Sequence, residues 1–230
     1  MTGSPLLNAF NQSNAALLTY TVGGDPNKET SLEIFREIAR SGADIIECGL
    51  GHGANIGDGG AIQDGTYRAL SNGIKTDDVF DIIKTLRDEF DTNVIIMTYQ
   101  NKIMSYGEDS FLSKCVESKV AGIICVDWPW PLNLNFAAKC KKNNIDFIQL
   151  LCPTTNEERL KLILNDAHDV VYYISMLSTT GQKLKVSPTE IKDRFNLIKT
   201  IAPKKKCIIG FGITEETIAD FKDTDACVVG

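Results

Sequence analysis

The fold is decided by one short stretch of the chain, Ala43-Asp44-Ile45-Ile46-Glu47-Cys48-Gly49-Leu50. An apolar run of this length, bounded by glycines, is typical of a strand that is covered on both faces. An acidic residue has no packing reason to lie near the end of such a strand. We therefore interpret Glu47 as a candidate site residue; the alternative is a structural carboxylate bonded to neighbouring backbone or to an arginine.

A glycine-rich loop follows this strand. Six of the thirteen residues from Cys48 to Gly60 are glycine, and the loop carries a second carboxylate, Asp58. Glycine lets the backbone approach a ligand closely, and it also raises the entropy of the open loop. The sequence therefore predicts a loop that becomes ordered when it binds, with Asp58 as a second candidate site residue.

The same unit of a strand followed by helix repeats along the rest of the chain. After a polar lead-in, strand patterns lie at 15–22, 43–50, 93–97, 122–126, 147–151, 170–175, 207–209 and 226–230. Helical patterns lie at 30–40, 61–71, 76–90, 109–118, 132–142, 156–165, 189–201 and 214–221. Eight strands alternating with helices predict an α/β fold, a (β/α)8 TIM barrel in a single domain over residues 1–230.

Two features of this pattern bear on the barrel prediction. The final helix, after strand eight, is absent from this sequence, so we expect either a chain that is short at its C-terminus or another chain that covers this flank. An open doubly wound sheet is the alternative fold, because Gly49-x-Gly51-x-x-Ala54 matches the relaxed dinucleotide fingerprint. That motif needs a helix that begins inside the glycines, and here the glycines continue to Gly60. The pattern therefore favours the barrel.

Composition limits the classes of function. The chain has 230 residues, a net charge of -6 and scattered charges, which argue against a nucleic acid or an anionic membrane as the main partner. No apolar run approaches the roughly 18 residues that span a bilayer, and the opening residues do not resemble a secretion signal. The seven cysteines form no Cys-x-x-Cys pair and are predicted to be buried free thiols. We therefore expect a cytoplasmic protein.

Polar residues and glycines follow the predicted strands. In a parallel barrel the loops after the strands share one rim, which would bring together side chains that are distant in sequence. These are Glu47, Asp58, Tyr99, Asp127, Thr180 and Gly212. The set offers acid and base groups without a metal site, because neither His52 nor His168 lies at ligand spacing from cysteines or carboxylates.

Glycines after strands six and seven offer bare backbone N–H groups. Gly181, Gly210 and Gly212 could hold a phosphate by the means that barrels of this kind commonly use. The alternative is that they are turn glycines. The residues alone leave both interpretations open.

Several motifs are spread along the chain: Thr19-Tyr20-Thr21-Val22-Gly23-Gly24-Asp25-Pro26, Gly42-Ala43-Asp44-Ile45-Ile46-Glu47-x-Gly49, Asp58-Gly59-x-x-Ile62-Gln63, Met97-Thr98-Tyr99-x-Asn101, Tyr172-Tyr173, Thr180-Gly181 and Gly210-Phe211-Gly212-Ile213. Together these motifs resemble the tryptophan synthase alpha chain family from about Leu17 to Gly230. The resemblance implies a lyase of the carbon–oxygen class that cleaves indole-3-glycerol phosphate to indole and glyceraldehyde 3-phosphate. It also implies a heterotetramer with a β chain.

The resemblance implies a role for each matching residue. Glu47 would be the general acid and base, and Asp58 would accept a hydrogen bond from the indole N–H. The remaining substrate-binding set would hold the ring and the phosphate: Tyr99, Tyr172, Thr180, Gly181, Gly210, Gly212 and Gly230. The alpha chain would need no cofactor, because pyridoxal phosphate is expected in the β partner.

The chain departs from the family pattern between the two carboxylates. The family normally carries a Pro-Phe-Ser-Asp-Pro type loop that helps to contact the β chain, and here the span is Gly51-His52-Gly53-Ala54-Asn55. Besides an efficient alpha subunit, two interpretations stay open. One is a weakly catalytic or non-catalytic barrel that modulates a β chain, and the other is a stand-alone phosphate-binding barrel with a changed substrate.

Overall fold

The computed structural model describes residues 4–10, 15–175, 187–210, 213 and 217–230. Its strands, all paired in parallel, form one sheet in the order β5-β4-β3-β2-β1-β9-β8-β7-β6. They are β1 (Ala16–Val22), β2 (Ile45–Gly49), β3 (Asn93–Thr98), β4 (Gly122–Cys125), β5 (Asp146–Phe147), β6 (Gln149–Leu151), β7 (Val170–Ile174), β8 (Lys206–Gly210) and β9 (Ala226–Val229).

The sheet closes on itself through the segment that contains β5 and β6. These two strands are separated only by Ile148. β5 pairs with β4 through Ile123 and Phe147, and β6 pairs with β7 through Leu150 and Tyr172. The two short strands therefore occupy one position, the fifth of eight, and the TIM barrel prediction is confirmed. The open-sheet alternative is wrong.

Helices cover the outside of the barrel. They are α1 (Lys28–Arg40), α2 (Gly60–Ser71), α3 (Thr76–Glu89), α4 (Gln100–Tyr106), α5 (Glu108–Glu117), α6 (Leu134–Lys142), α7 (Glu157–Asp166) and α8 (Pro188–Ile201), with 3₁₀ turns at Leu7–Phe10 and Ile218–Phe221. α2 begins at Gly60, after the glycine-rich loop, which is where the pattern placed its start and not where a dinucleotide motif would need it.

The helix α4 was not predicted from the sequence. Its cap is remote, because the Asp127 side chain, from the segment after β4, accepts the Gln100 N–H at 2.7 Å. Gly107, at φ 88°, ends the helix after seven residues. A helix this short, capped by a residue 27 positions away, leaves no local signal of its start.

Strand side chains alternate between the barrel interior and the surrounding helices. The interior cluster includes Leu18, Ile45, Ile95, Ile124, Ile148 and Ile208, whereas Ile46, Cys48 and Ile96 pack outward against Phe80, Ile83 and Phe111. Glu47 follows Ile46 and has the same parity as Ile45, so β2 presents its carboxylate on the inner face.

The N-terminal lead-in corrects one prediction. We expected a polar segment, but Leu6 and Phe10 are buried in the interior cluster of the barrel. Leu6 packs against Gly122 at the start of β4. A Cβ added at Gly122 would lie 3.2 Å from the leucine Cδ1. The segment therefore contributes to the core, because a barrel exposes apolar side chains at the N-terminal ends of its strands unless something covers them.

Candidate active site

Glu47 lies inside the barrel on β2. It is 1% exposed, and its Oε2 has no hydrogen-bond partner among the residues that the structure describes. Burial, and secondly the charge of Asp58, raise the pKa of Glu47 to about 8. Burial removes the solvation that stabilises the ionised form, so the proton is held more tightly than in water. A pKa of about 8 favours the protonated form of this carboxyl at neutral pH.

Two tyrosine rings line the space around Glu47. Tyr20 is its partner in the β1–β2 register, and Tyr172 on β7 is close enough for the Glu47 charge to act on it. Burial raises the pKa of both hydroxyls. Each ring lies over a glycine, because a Cβ added at Gly49 would overlap the Tyr20 hydroxyl and a Cβ added at Gly210 would overlap that of Tyr172. These glycines therefore make room for the tyrosines.

Asp58 lies on the loop between β2 and α2 and is also buried. Its Oδ1 accepts the Tyr99 hydroxyl at 3.3 Å, and its Oδ2 accepts the Asn55 amide at 2.9 Å. Burial raises the pKa of Asp58, but the hydrogen bonds from Asn55 and Tyr99 and the nearby His52 oppose that rise. Hydrogen bonds to the ionised form favour it. Asp58 is thus held in one orientation by its neighbours.

The loop that carries Asp58 is tied to the residues after β3. The Tyr99 hydroxyl accepts the Gly57 N–H at 3.1 Å, and the His52 ring stacks on the Tyr99 ring with centroids 5.4 Å apart. Lys102 donates to the Gly51 carbonyl at 2.9 Å. The glycines predict a loop that becomes ordered when it binds, and the structure adds these side-chain contacts between the loop and the residues after β3.

The structure places the predicted residues as follows. Glu47, Asp58, Tyr99 and Tyr172 lie around the C-terminal end of the barrel, and Gly210 ends β8 with its carbonyl accepting the Ser175 hydroxyl at 2.7 Å. Gly230 follows β9, and a Cβ there would lie 3.0 Å from that of Tyr20. Asp127 caps α4. Thr180, Gly181 and Gly212 are outside the described residues.

Sequence reasoning missed three side chains near the carboxylates. Tyr20 was recognised within a motif but not as a site residue, and its register with Glu47 could have identified it. In the sequence, Asn55 stands out only as a departure from the family pattern, and His52 only as such a departure and as a histidine without metal-ligand spacing. Their contacts depend on how the loop turns, and the sequence carried no signal for that.

The comparisons with known proteins identify the family. A family model described as tryptophan synthase alpha chain matches residues 6–230. The tryptophan synthase alpha chain of Pelagibacter ubique is 52% identical over 220 residues, which cover 95% of this chain and 83% of that protein. The chain belongs to the tryptophan synthase alpha chain family. The tryptophan synthase alpha chain of Petrotoga mobilis is 34% identical over 90% of this chain and 80% of its own length.

Solved structures agree with this assignment to the tryptophan synthase alpha chain family. A chain from a study of the tryptophan synthase α2β2 complex of Pyrococcus furiosus has a TM-score of 0.84 at 33% identity, covering 94% of this chain and 88% of that one. A chain from Aquifex aeolicus VF5 has a TM-score of 0.89 at 30% identity, covering 99% and 88%. Family membership makes this chain a lyase with the role of an alpha subunit.

Two further observations apply to the described residues. None of their helices is both long enough and apolar enough to cross a bilayer. Among the same residues, no group of three or more histidine, cysteine or acidic side chains is arranged to hold a metal ion.

Proposed function

We propose that this chain cleaves indole-3-glycerol phosphate to indole and glyceraldehyde 3-phosphate in tryptophan biosynthesis. The observation that carries the proposal is the buried Glu47 carboxyl with its pKa of about 8. A retro-aldol cleavage needs a proton delivered to the indole carbon that loses the side chain, and a proton removed from the hydroxyl on the carbon next to it. A group whose pKa lies near the working pH can do both in turn.

Asp58 supplies a fixed negative charge in this proposal. Protonation of the indole carbon puts positive character on the ring nitrogen until the carbon–carbon bond breaks and its electrons return to the ring. A carboxylate that accepts the ring N–H stabilises that charge as it develops. Asp58 fits this role because Asn55 and Tyr99 already orient its two oxygens.

The rest of the substrate would be held by the remaining predicted set. Tyr99 and Tyr172 are buried aromatic side chains on the rim where the carboxylates lie, and they offer apolar surface to the indole ring. Thr180, Gly181, Gly210, Gly212 and Gly230 form the proposed phosphate end. The proposal needs no cofactor in this chain, and pyridoxal phosphate belongs to the β partner.

A β chain is the proposed protein partner, in a heterotetramer in the cytoplasm. Three large apolar side chains, Ile56, Met104 and Leu132, are exposed on consecutive segments of the carboxylate rim, at 75%, 53% and 72%. These segments contact one another through hydrogen bonds from Lys102 to Gly51 and from Gln100 to Asp127. Clustered exposed apolar groups mark interaction surfaces. Docking there would place the partner beside the site.

The test measures indole released from indole-3-glycerol phosphate by the purified chain, alone and with a β chain. We expect release in both conditions, faster with the partner, and none from Glu47→Gln. The absence of release in both conditions would contradict the proposal. If the chain still accelerated the reaction of the β chain, the modulator interpretation would replace it.

A further inference from the structure

The orientation of Asp58 depends on a residue of its own loop. Asn55 and Asp58 are the first and last residues of a four-residue turn, in which the Asp58 N–H donates to the Asn55 carbonyl at 3.1 Å. The Asn55 side-chain amide returns over the same turn and donates to Asp58 Oδ2 at 2.9 Å. Backbone and side chain of Asn55 therefore both bind Asp58.

The second oxygen of Asp58 is held from outside the loop. Tyr99 donates to Oδ1, and its ring is covered by His52. The His52 Nδ1 accepts the Ala54 N–H at 3.1 Å, which closes the loop on the other side of the turn. Asn55 and Tyr99 each donate a hydrogen bond to a different oxygen of Asp58, so rotation of the carboxylate would break at least one of these hydrogen bonds.

We propose that Asn55 is a positioning residue for the cleavage reaction, which orients the Asp58 carboxylate and favours its ionised form through the hydrogen bond to Oδ2. The inference rests on the proposed function, because it assigns Asn55 a role only through Asp58. A neutral amide suits this role. It donates a hydrogen bond to the carboxylate without cancelling its charge, which an ammonium or guanidinium group would do.

Other titratable groups also act on Asp58. Within the described residues these are Glu47 on β2, Tyr20 on β1, Tyr99 after β3 and His52 on the same loop. From α2, the Gln63 amide donates to the Asp58 carbonyl at 2.8 Å and brings no charge. The Asn55 side chain takes no part in these other contacts. Replacing Asn55 with alanine therefore removes one hydrogen bond of the Asp58 carboxylate and leaves the surrounding charges in place.

The experiment compares Asn55→Ala and Asn55→Asp with the parent chain and with Gly53→Ala. Gly53 is the matched control, because it lies on the same loop and an added Cβ would meet nothing within 4 Å. We expect Asn55→Ala to lower kcat about 10-fold at neutral pH, with a much smaller change in KM. Gly53→Ala should behave as the parent does.

The pH profile distinguishes positioning from a loosened loop. Loss of the Asn55 hydrogen bond raises the pKa of Asp58, so the acid limb of kcat/KM should move to higher pH in Asn55→Ala. A second carboxylate in Asn55→Asp should move it further. A loop that was merely loosened would lower the rate at every pH without moving the limb.

Asp58→Asn, measured in parallel, separates the two claims. An inactive Asp58→Asn, together with an Asn55→Ala that matches the parent in kcat and in pH profile, would overturn the positioning role and leave the proposed function intact. A fully active Asp58→Asn would overturn the role assigned to Asp58 and, with it, the positioning role of Asn55, while its indole release would leave the cleavage activity itself standing. Circular dichroism and thermal unfolding of each variant check that the fold is retained.

Discussion

The two carboxylates of the site are held in opposite ways. Glu47 lies on a strand inside the barrel and has an oxygen without a hydrogen-bond partner among the described residues. Asp58 lies on a loop, and each of its oxygens accepts a hydrogen bond. Both are buried, but burial acts on Glu47 with little opposition, whereas at Asp58 the hydrogen bonds oppose it.

The proposed function needs a proton carrier and a fixed charge, and the two environments fit these two roles. Burial without compensation disfavours the ionised form, so Glu47 keeps its proton near neutral pH. At Asp58 the hydrogen bonds favour the ionised form and so limit the rise in pKa that burial causes. The rigid strand and the hydrogen-bonded loop are thus suited to the two tasks, and substitutions at each carboxylate should have different signatures.

The largest effect is expected from Glu47→Gln. The amide has the size of the carboxyl but cannot cycle a proton, so kcat should fall by about 10³-fold or more while the fold is kept. Indole release under saturating substrate measures this. Glu37→Gln, an exposed carboxylate on α1, is the control and should leave kcat unchanged. A parent-like rate for Glu47→Gln would remove the proton-transfer role.

A smaller loss is expected from Asp58→Asn. The amide replaces a full negative charge near the ring nitrogen, and such electrostatic contacts contribute about 10²–10³-fold to kcat. The acid limb that belongs to Asp58 should also disappear from the pH profile. Indole release measured across pH tests both points. A variant that kept the parent's acid limb would show that the limb belongs to another group.

The next effect is the pH dependence of the free energy of unfolding that Glu47 causes. Because the folded-state pKa of Glu47 is about 8, above its ordinary value of 4.5, the native state holds this proton more tightly than the unfolded state. The parent should therefore lose stability as pH rises from about 4.5 to about 8, whereas position 47 does not titrate in Glu47→Gln.

The free energy of unfolding of the two proteins measures this effect. The advantage of Glu47→Gln should be smallest near pH 5 and grow by about 4 kcal/mol towards pH 9. Urea unfolding at both pH values is the measurement. An advantage that stayed constant with pH would mean that the Glu47 pKa is not raised in the folded chain.

The smallest effect concerns the packing beside Glu47. Gly210→Ala should lower the free energy of unfolding by about 1–3 kcal/mol, because the new methyl group would overlap the Tyr172 hydroxyl. Tyr172→Phe removes that oxygen and should recover part of the loss in the double variant. Chemical unfolding of the single and double variants tests the coupling, and purely additive effects would argue against the overlap.

Much of the fold could be predicted from the sequence. Buried strands such as β2 read as apolar runs, and the helices between them carry apolar stripes. The helix α4 was not predicted because its cap, Asp127, comes from another segment. The burial of the lead-in was not predicted because its few apolar residues, such as Leu6 and Phe10, do not form a helical or strand periodicity with their neighbours. A structural feature that depends on contacts with distant residues leaves no pattern in the local sequence.

The site was predictable to a similar extent. A carboxylate in an apolar strand identified Glu47, and the motif after the glycine-rich loop identified Asp58. Asn55 could not be identified, because its contact with Asp58 follows from the turn that the loop adopts. The glycines suggested a loop ordered by binding, and they gave no sign of the side-chain contacts that connect this loop to Tyr99.

The central claim is that Glu47 carries a proton at neutral pH while buried in the barrel. Infrared difference spectra of the parent and Glu47→Gln, recorded from acid to alkaline pH, test it most directly. The account predicts a protonated-carboxyl band at about pH 6.5 that is missing in Glu47→Gln and that disappears in the parent with a midpoint near 8. A spectrum at about pH 6.5 without that band would contradict the account.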